Sequence, residues 1–332
     1  MQRFVEQKSG AVVPDRDASR VGTILRQRRL PDMKDRLTTP ADIASTPAGI
    51  KAFLCRHSLF AGLALMFAIT WTIELSSVGV LPFRVPFVVA LTVGWWFIIV
   101  ALVMTRLTLG KVEMARLFMR LFQWRVGATW YFVALLLLPA LFFASIPLTA
   151  WLTGTSADAS QPMIRDLVPL KALLAALVIP WFLFELLTNG EEIGWRGYVL
   201  PRLLTKYHAL TASLILGVIW ALWHLPKLLG AGMNGDRSLV WFLVAHMALA
   251  ILYTWVYTGT RGSLLLVTIL HASSNTAGIF LPVSFAVAGG VTDNLLIVLI
   301  VLAAVVVTAV AGPARLARPA TSFRNASRHR VG

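Results

Sequence analysis

Apolar runs near 20 residues long repeat along the chain from Ser58 onward, at about 58–80, 86–104, 128–150, 170–199, 209–229, 239–258, 262–283 and 294–312. A helix needs about that length to cross roughly 30 Å of hydrocarbon at about 1.5 Å per residue. None of the runs alternates apolar and polar residues as a transmembrane barrel strand does. Because a backbone in lipid must satisfy its own hydrogen bonds, each run is expected to be a helix. The pattern therefore predicts an all-α, polytopic membrane helical bundle of about eight transmembrane helices. Residues 1–56 break the pattern: Pro14, Pro31, Pro40 and Pro47 interrupt any periodicity, and eleven Lys/Arg mix with six Asp/Glu. That segment reads as a disordered basic cytoplasmic arm with an amphipathic stretch around Val21 to Leu30. Residues 57–312 form the bundle. Residues 313–332 read as a basic cytoplasmic tail, whose Arg315, Arg318, Arg324, Arg328 and Arg330 suit anionic lipid headgroups.

Composition sharpens this picture. Of 332 residues, 58% are hydrophobic and only 14% charged, with mean hydropathy +0.75. A water-soluble enzyme and a disordered chain are both excluded. The first apolar run lies behind the polar arm rather than behind a short basic leader, so the first span is expected to act as its own insertion signal. A net charge of +15 would suggest a nucleic-acid partner in a soluble protein. Here the placement of the charges gives another reading. With the N-terminus in the cytoplasm and the spans alternating, 25 of the 30 Lys/Arg fall on the cytoplasmic side. Both termini are expected there, in the cell membrane, with the lipid bilayer and not nucleic acid as the partner. The lone Cys55, beside Arg56 and His57, is read as structural or incidental.

Ionisable groups that topology does not require are the candidates for chemistry. The fourth run carries Glu191, Glu192 and Arg196, and the apolar residues after Arg196 predict a helix continuing to Pro201. Glu191 then lies roughly 15 Å from the cytoplasmic end, and His224, His271 and Asn275 roughly 14 to 22 Å into their own runs. Four polar groups from three helices thus share the middle of the bilayer. Glu192 and Arg196 are i,i+4 and suited to pair, while Glu191 points about 100° away. His271 and Asn275, also i,i+4, are expected to face one cavity. Trp220 lies one turn before His224, and Pro226 removes the hydrogen bond to the Leu222 carbonyl, bending the helix beside that histidine. The competing structural reading is that the cluster only knits helices together, at about 1 kcal/mol per interhelical hydrogen bond.

The set Glu191-Glu192-x-x-x-Arg196, Trp220-x-x-x-His224 and His271-x-x-x-Asn275 resembles the three motifs of the CPBP intramembrane proteases. That family includes the type II CAAX prenyl endopeptidases and the abortive-infection and bacteriocin-immunity proteins. The likeness covers about residues 165–285, with Trp220 standing where the family often has Phe. It implies an intramembrane endopeptidase with its active site toward the cytoplasmic side and a peptide or membrane-protein substrate. It further implies that Glu191 and His224 activate water while His271 and Asn275 stabilise the oxyanion, with Glu192, Arg196 and Trp220 in support and no cofactor. Within the same class, Glu191, His224 and His271 form a His₂Glu set, so a zinc-dependent version stays open, although no His-Glu-x-x-His pattern occurs. From a different class, a transporter or immunity protein using the cluster for binding also stays open. His246, Glu185 and Glu74 lack an evident partner at matching depth, so the first two read as packing or cavity-lining groups and Glu74 as interfacial. Trp195 and Trp223 are expected to line the substrate cavity, and most other tryptophans to anchor at the interface.

Overall fold

The computed structural model describes residues 49–154, 171–229, 238–281, 283 and 290–317. The basic arm with its amphipathic stretch and most of the basic tail lie outside the described residues. Among the described residues the chain is helical, without strands, as the apolar runs predict. A short helix α1 (Ile50–Arg56) leads into α2 (Ser58–Ser77), and α3 (Phe87–Ala90) into α4 (Val93–Leu109). Then follow α5 (Lys111–Met119), α6 (Ala128–Thr153) and α7 (Lys171–Thr188). A π-helical segment (Ile193–Val199) joins α8 (Leu200–Leu204), and α9 (Ala209–Trp223) is followed by α10 (Leu225–Leu229). The chain closes with α11 (Leu239–Gly259), α12 (Leu264–Phe280) and α13 (Val291–Ala311).

Helices α2, α6, α11 and α13 are each long and apolar enough to cross a membrane, and α4, α9 and α12 are shorter apolar helices. The protein is a helical membrane protein. Exposed large apolar side chains such as Phe60, Phe132, Phe143 and Val305 clothe its outside, as a lipid-facing surface requires. Helix starts have local causes: the Ser238 hydroxyl accepts from the Val240 N–H and the Ser263 hydroxyl from the Leu266 N–H, each satisfying a first-turn donor.

Two boundaries differ from the sequence expectation. The second run starts as a helix at Val93 and extends to Leu109, because Pro86 and the turn after the short α3 take up its first residues. More consequential is the fourth run, expected to be one helix to Pro201. It is interrupted at Asn189–Gly190, and the segment beyond continues with π-type winding before returning to α8. The break is packed against α4, where the Gly190 and Gly94 backbones meet so closely that a Cβ on either would strike the other strand of chain. Apolar continuity hid this, since the interruption depends on a glycine contributed by another helix. By contrast, α9 ends at Trp223 and the chain bends at His224, as Pro226 predicts.

The core that positions the site is made by α9 packed on α11, α11 on α13, and α12 on both α6 and α7. Gly217 brings α9 against the α11 backbone, where an added Cβ would lie 2.6 Å from Met247 Cα. Phe97, Trp195, Trp223, Tyr198 and Tyr253 fill the interior.

Candidate active site

The first element of the site is the reorganised segment after Gly190. Its backbone places Glu192 and Arg196 inside, both fully buried, with Arg196 Nη1 donating to Glu192 Oε1 and Oε2 at 2.9 and 3.0 Å. The pair expected from i,i+4 spacing is therefore formed. The guanidinium lies between two rings, 4.6 Å from the Trp220 centroid and 4.4 Å from that of Tyr253. In lipid such a charge needs this combination of counter-charge and aromatic faces.

Glu192 also reaches α12. Its Oε1 lies 2.8 Å from His271 Nδ1, and because an ionised carboxylate only accepts, Nδ1 carries the proton and Nε2 is the atom left for chemistry. One carboxylate thus holds both Arg196 and His271. Glu191, less buried than its neighbour, points elsewhere, as its position on the helix predicts. Its Oε2 accepts from the indole N–H groups of Trp195 and Trp220, both at 3.3 Å.

Trp220 connects the rest. Its backbone carbonyl accepts from His224 Nδ1 at 2.8 Å, which again fixes the proton on Nδ1 and leaves Nε2 with a lone pair. Its ring packs edge-on to His271 with centroids 5.7 Å apart, and lies 6.0 Å from the ring of His224. Glu191, His224 and His271, drawn from three separate segments, are therefore all in contact with one residue.

Asn275 is also placed on the α7–α12 interface, but with a partner that sequence reasoning passed over: its Nδ2 donates to Glu185 Oε2 at 2.8 Å. Glu185 is thus not an unmatched packing group. Nor is His246 unmatched: its ring lies 4.8 Å from that of His224 and 5.2 Å from that of Trp220, and its Nδ1 donates to the Phe242 carbonyl at 2.8 Å. Glu74 pairs with Lys227 at 3.5 Å. The partners of Glu185 and Glu74, and the ring contacts of His246 with His224 and Trp220, come from other segments, so no local spacing signals them. Both tryptophans expected to line the cavity are fully buried and each meets a site residue: Trp195 donates to Glu191, and Trp223 packs edge-on to His224 with centroids 4.7 Å apart while donating to Thr70 Oγ1 at 2.8 Å.

The residues that would make a zinc centre, Glu191, His224 and His271, are not gathered as a ligand cluster. Among the described residues no three His, Cys, Asp or Glu side chains form a group able to hold a metal ion.

Residues 165–277 match the family model described as Type II CAAX prenyl endopeptidase Rce1-like, a stretch that includes Glu191, Glu192, Arg196, Trp220, His224, His271 and Asn275. A curated relative, CAAX prenyl protease 2 of Methanococcus maripaludis, is 28% identical over 153 residues, which is 42% of this chain and 52% of that protein. The match thus spans about half the length of the relative. Motifs, their placement around Trp220 and the matched segment agree: over residues 165–277 the chain is similar to the Type II CAAX prenyl endopeptidase Rce1-like family.

Proposed function

We propose that the protein is an intramembrane endopeptidase of the cell membrane, hydrolysing peptide bonds of a peptide or membrane-protein substrate from a site that opens toward the cytoplasmic half of the bilayer. The observation that carries this reading is the contact of Glu191, His224 and His271 with the single residue Trp220. Peptide hydrolysis requires a base for water and donors for the oxyanion. Glu191, outside the buried ion pair, takes the proton of a water that His224 Nε2 helps orient. The resulting hydroxide attacks the carbonyl carbon. Negative charge then develops on the carbonyl oxygen, where His271 and Asn275 donate.

The bond pattern adds a condition. Since His271 Nδ1–H is committed to Glu192, the ring can donate to an oxyanion only through a protonated Nε2, hence as imidazolium. Glu192 is then its counter-ion, and Arg196 balances Glu192 in turn. When the tetrahedral species collapses, the C–N bond breaks and the leaving nitrogen takes the proton held by Glu191, giving a carboxylic acid and an amine, which then exchange a proton to become carboxylate and ammonium. Nothing in this scheme requires a prenyl group on the substrate.

Glu191→Gln preserves shape and both indole contacts while removing the base. Membranes carrying the wild-type chain, incubated in ¹⁸O-water, are expected to accumulate new peptide termini with one ¹⁸O in the new carboxylate. Membranes with Glu191→Gln at equal protein level should lose this by about a hundredfold or more. Equal labelling in the two preparations contradicts the assignment. Persistence of wild-type turnover after exhaustive chelation separates the glutamate mechanism from a zinc-dependent one.

A further inference from the structure

Glu185 lies outside the three motifs, yet with Glu192 it makes a carboxylate contact that ties α12 to the fourth apolar run. Glu192 holds His271 and Glu185 holds Asn275, each at 2.8 Å. The two donors are four residues apart on α12, about 6 Å of rise, whereas the two carboxylates are seven apart, about 10 Å on a continuous helix. The interruption at Asn189–Gly190 falls between Glu185 and Glu192. A carboxylate is brought opposite each member of the His271-x-x-x-Asn275 pair.

We propose that Glu185 is a positioning residue that sets the orientation of the Asn275 amide for catalysis. The inference rests on the hydrolase reading above and deepens it. An asparagine amide has two orientations of nearly the same shape, related by a half-turn, and only one presents N–H groups where the other presents oxygen. In this contact Glu185 Oε2 is the acceptor and Asn275 Nδ2–H the donor. Against Glu185 only the Nδ2 side of Asn275 is tolerated, because the flipped amide would set Oδ1 against Oε2. One N–H is thereby spent on Glu185, and the second N–H of the same nitrogen is held for the oxyanion. Glu185 does not meet the substrate. It acts through Asn275.

The role differs from simple helix docking in its dependence on acceptor identity and reach. Glu185→Ala removes the acceptor. Glu185→Asp keeps the charge but withdraws it by one methylene. Glu185→Gln keeps the length and an acceptor oxygen, although its own amide can turn. The assay uses the full-length chain in proteoliposomes with an internally quenched peptide spanning a cleavage site mapped in wild-type membranes. Glu185→Ala and Glu185→Asp are expected to lower kcat by about tenfold or more, part of the effect of losing an oxyanion donor, with KM within about twofold. Glu185→Gln should recover most of that loss. Combined with Asn275→Ala, Glu185→Ala should cost nothing further, since the group it positions is gone.

Losses that multiply in the double variant, or full kcat in a folded Glu185→Ala protein, overturn the proposal while leaving the hydrolase reading intact. A wild-type chain no more active than Glu191→Gln overturns both. Should Glu185→Ala fail to fold, the contrast between the Asp and Gln variants decides: equal kcat in the two sinks the inference.

Discussion

At the scale of single residues, the decisive contrast is between charges that the bilayer forces to the surface and charges the fold has taken inside. Arg116 and Glu113 pair on an exposed helix face, whereas Arg196 and Glu192 are fully buried. Removing one member of a buried pair leaves its partner uncompensated in a medium that cannot solvate it. Arg196→Ala is therefore expected to destabilise the protein by about 3–5 kcal/mol. Arg116→Ala should stay within about 0.5 kcal/mol of the parent, as an exposed substitution does. Thermal unfolding in detergent of the two variants beside the parent checks the ordering, and equal midpoints for both would show that Arg196 is solvated. The i,i+4 spacing made the Glu192–Arg196 pair legible in the sequence, and the change of face after it made Glu191 legible as a group left for other work. The partners of Glu185 and His246 were not legible in the same way. Asn275 is 90 positions from Glu185. His246 meets His224 across the α9–α11 contact. Such pairings are written in helix packing rather than in periodicity.

At the scale of elements, the fourth apolar run shows how far pattern carries and where it stops. Its apolar continuity is real, and α7 and the segment to Leu204 both follow it. The break within it requires Gly190 and Gly94 together, with the Thr188 carbonyl lying where a Gly94 Cβ would be. Backbone cannot yield as a flexible side chain does. Gly94→Ala should therefore destabilise the fold despite the better helix propensity of alanine, which favours the substitution by up to about 1 kcal/mol. A net loss of about 1–3 kcal/mol is expected from forcing the two segments apart, together with a drop in turnover because Glu191 and Glu192 follow directly. Gly278→Ala, in α12, is the matched control. Its Cβ would rest 3.6 Å from the Phe142 ring, an ordinary contact, so stability should hold or rise. Unfolding midpoints that fall equally for both glycines would contradict a specific close approach at the break.

At the scale of the whole molecule, the prediction concerns which way the bundle faces. The bias of 25 Lys/Arg to one side was read from the sequence, and with it a cytoplasmic position for the start of the first long helix. Cys55 offers a direct probe, because it is the only cysteine in the chain, is exposed, and sits in α1 just before Ser58 opens α2. Its thiol has a long contact, 3.9 Å to the Thr108 carbonyl, and its exposure gives a maleimide access to it. Thr108 is at the far end of α4, next to Lys111, Arg116 and Arg120, the basic connection assigned to the same face. If that face is cytoplasmic, a membrane-impermeant maleimide should leave Cys55 unmodified in intact spheroplasts and modify it in inverted vesicles. A Cys55→Ser chain should stay unlabelled in both. Labelling from outside in intact cells would invert the bundle, and with it the side from which a substrate reaches Glu191. The charge bias makes that outcome costly: inverted, the bundle would carry most of its cations across the membrane against the potential, at about 2.3 kcal/mol per charge for each 100 mV.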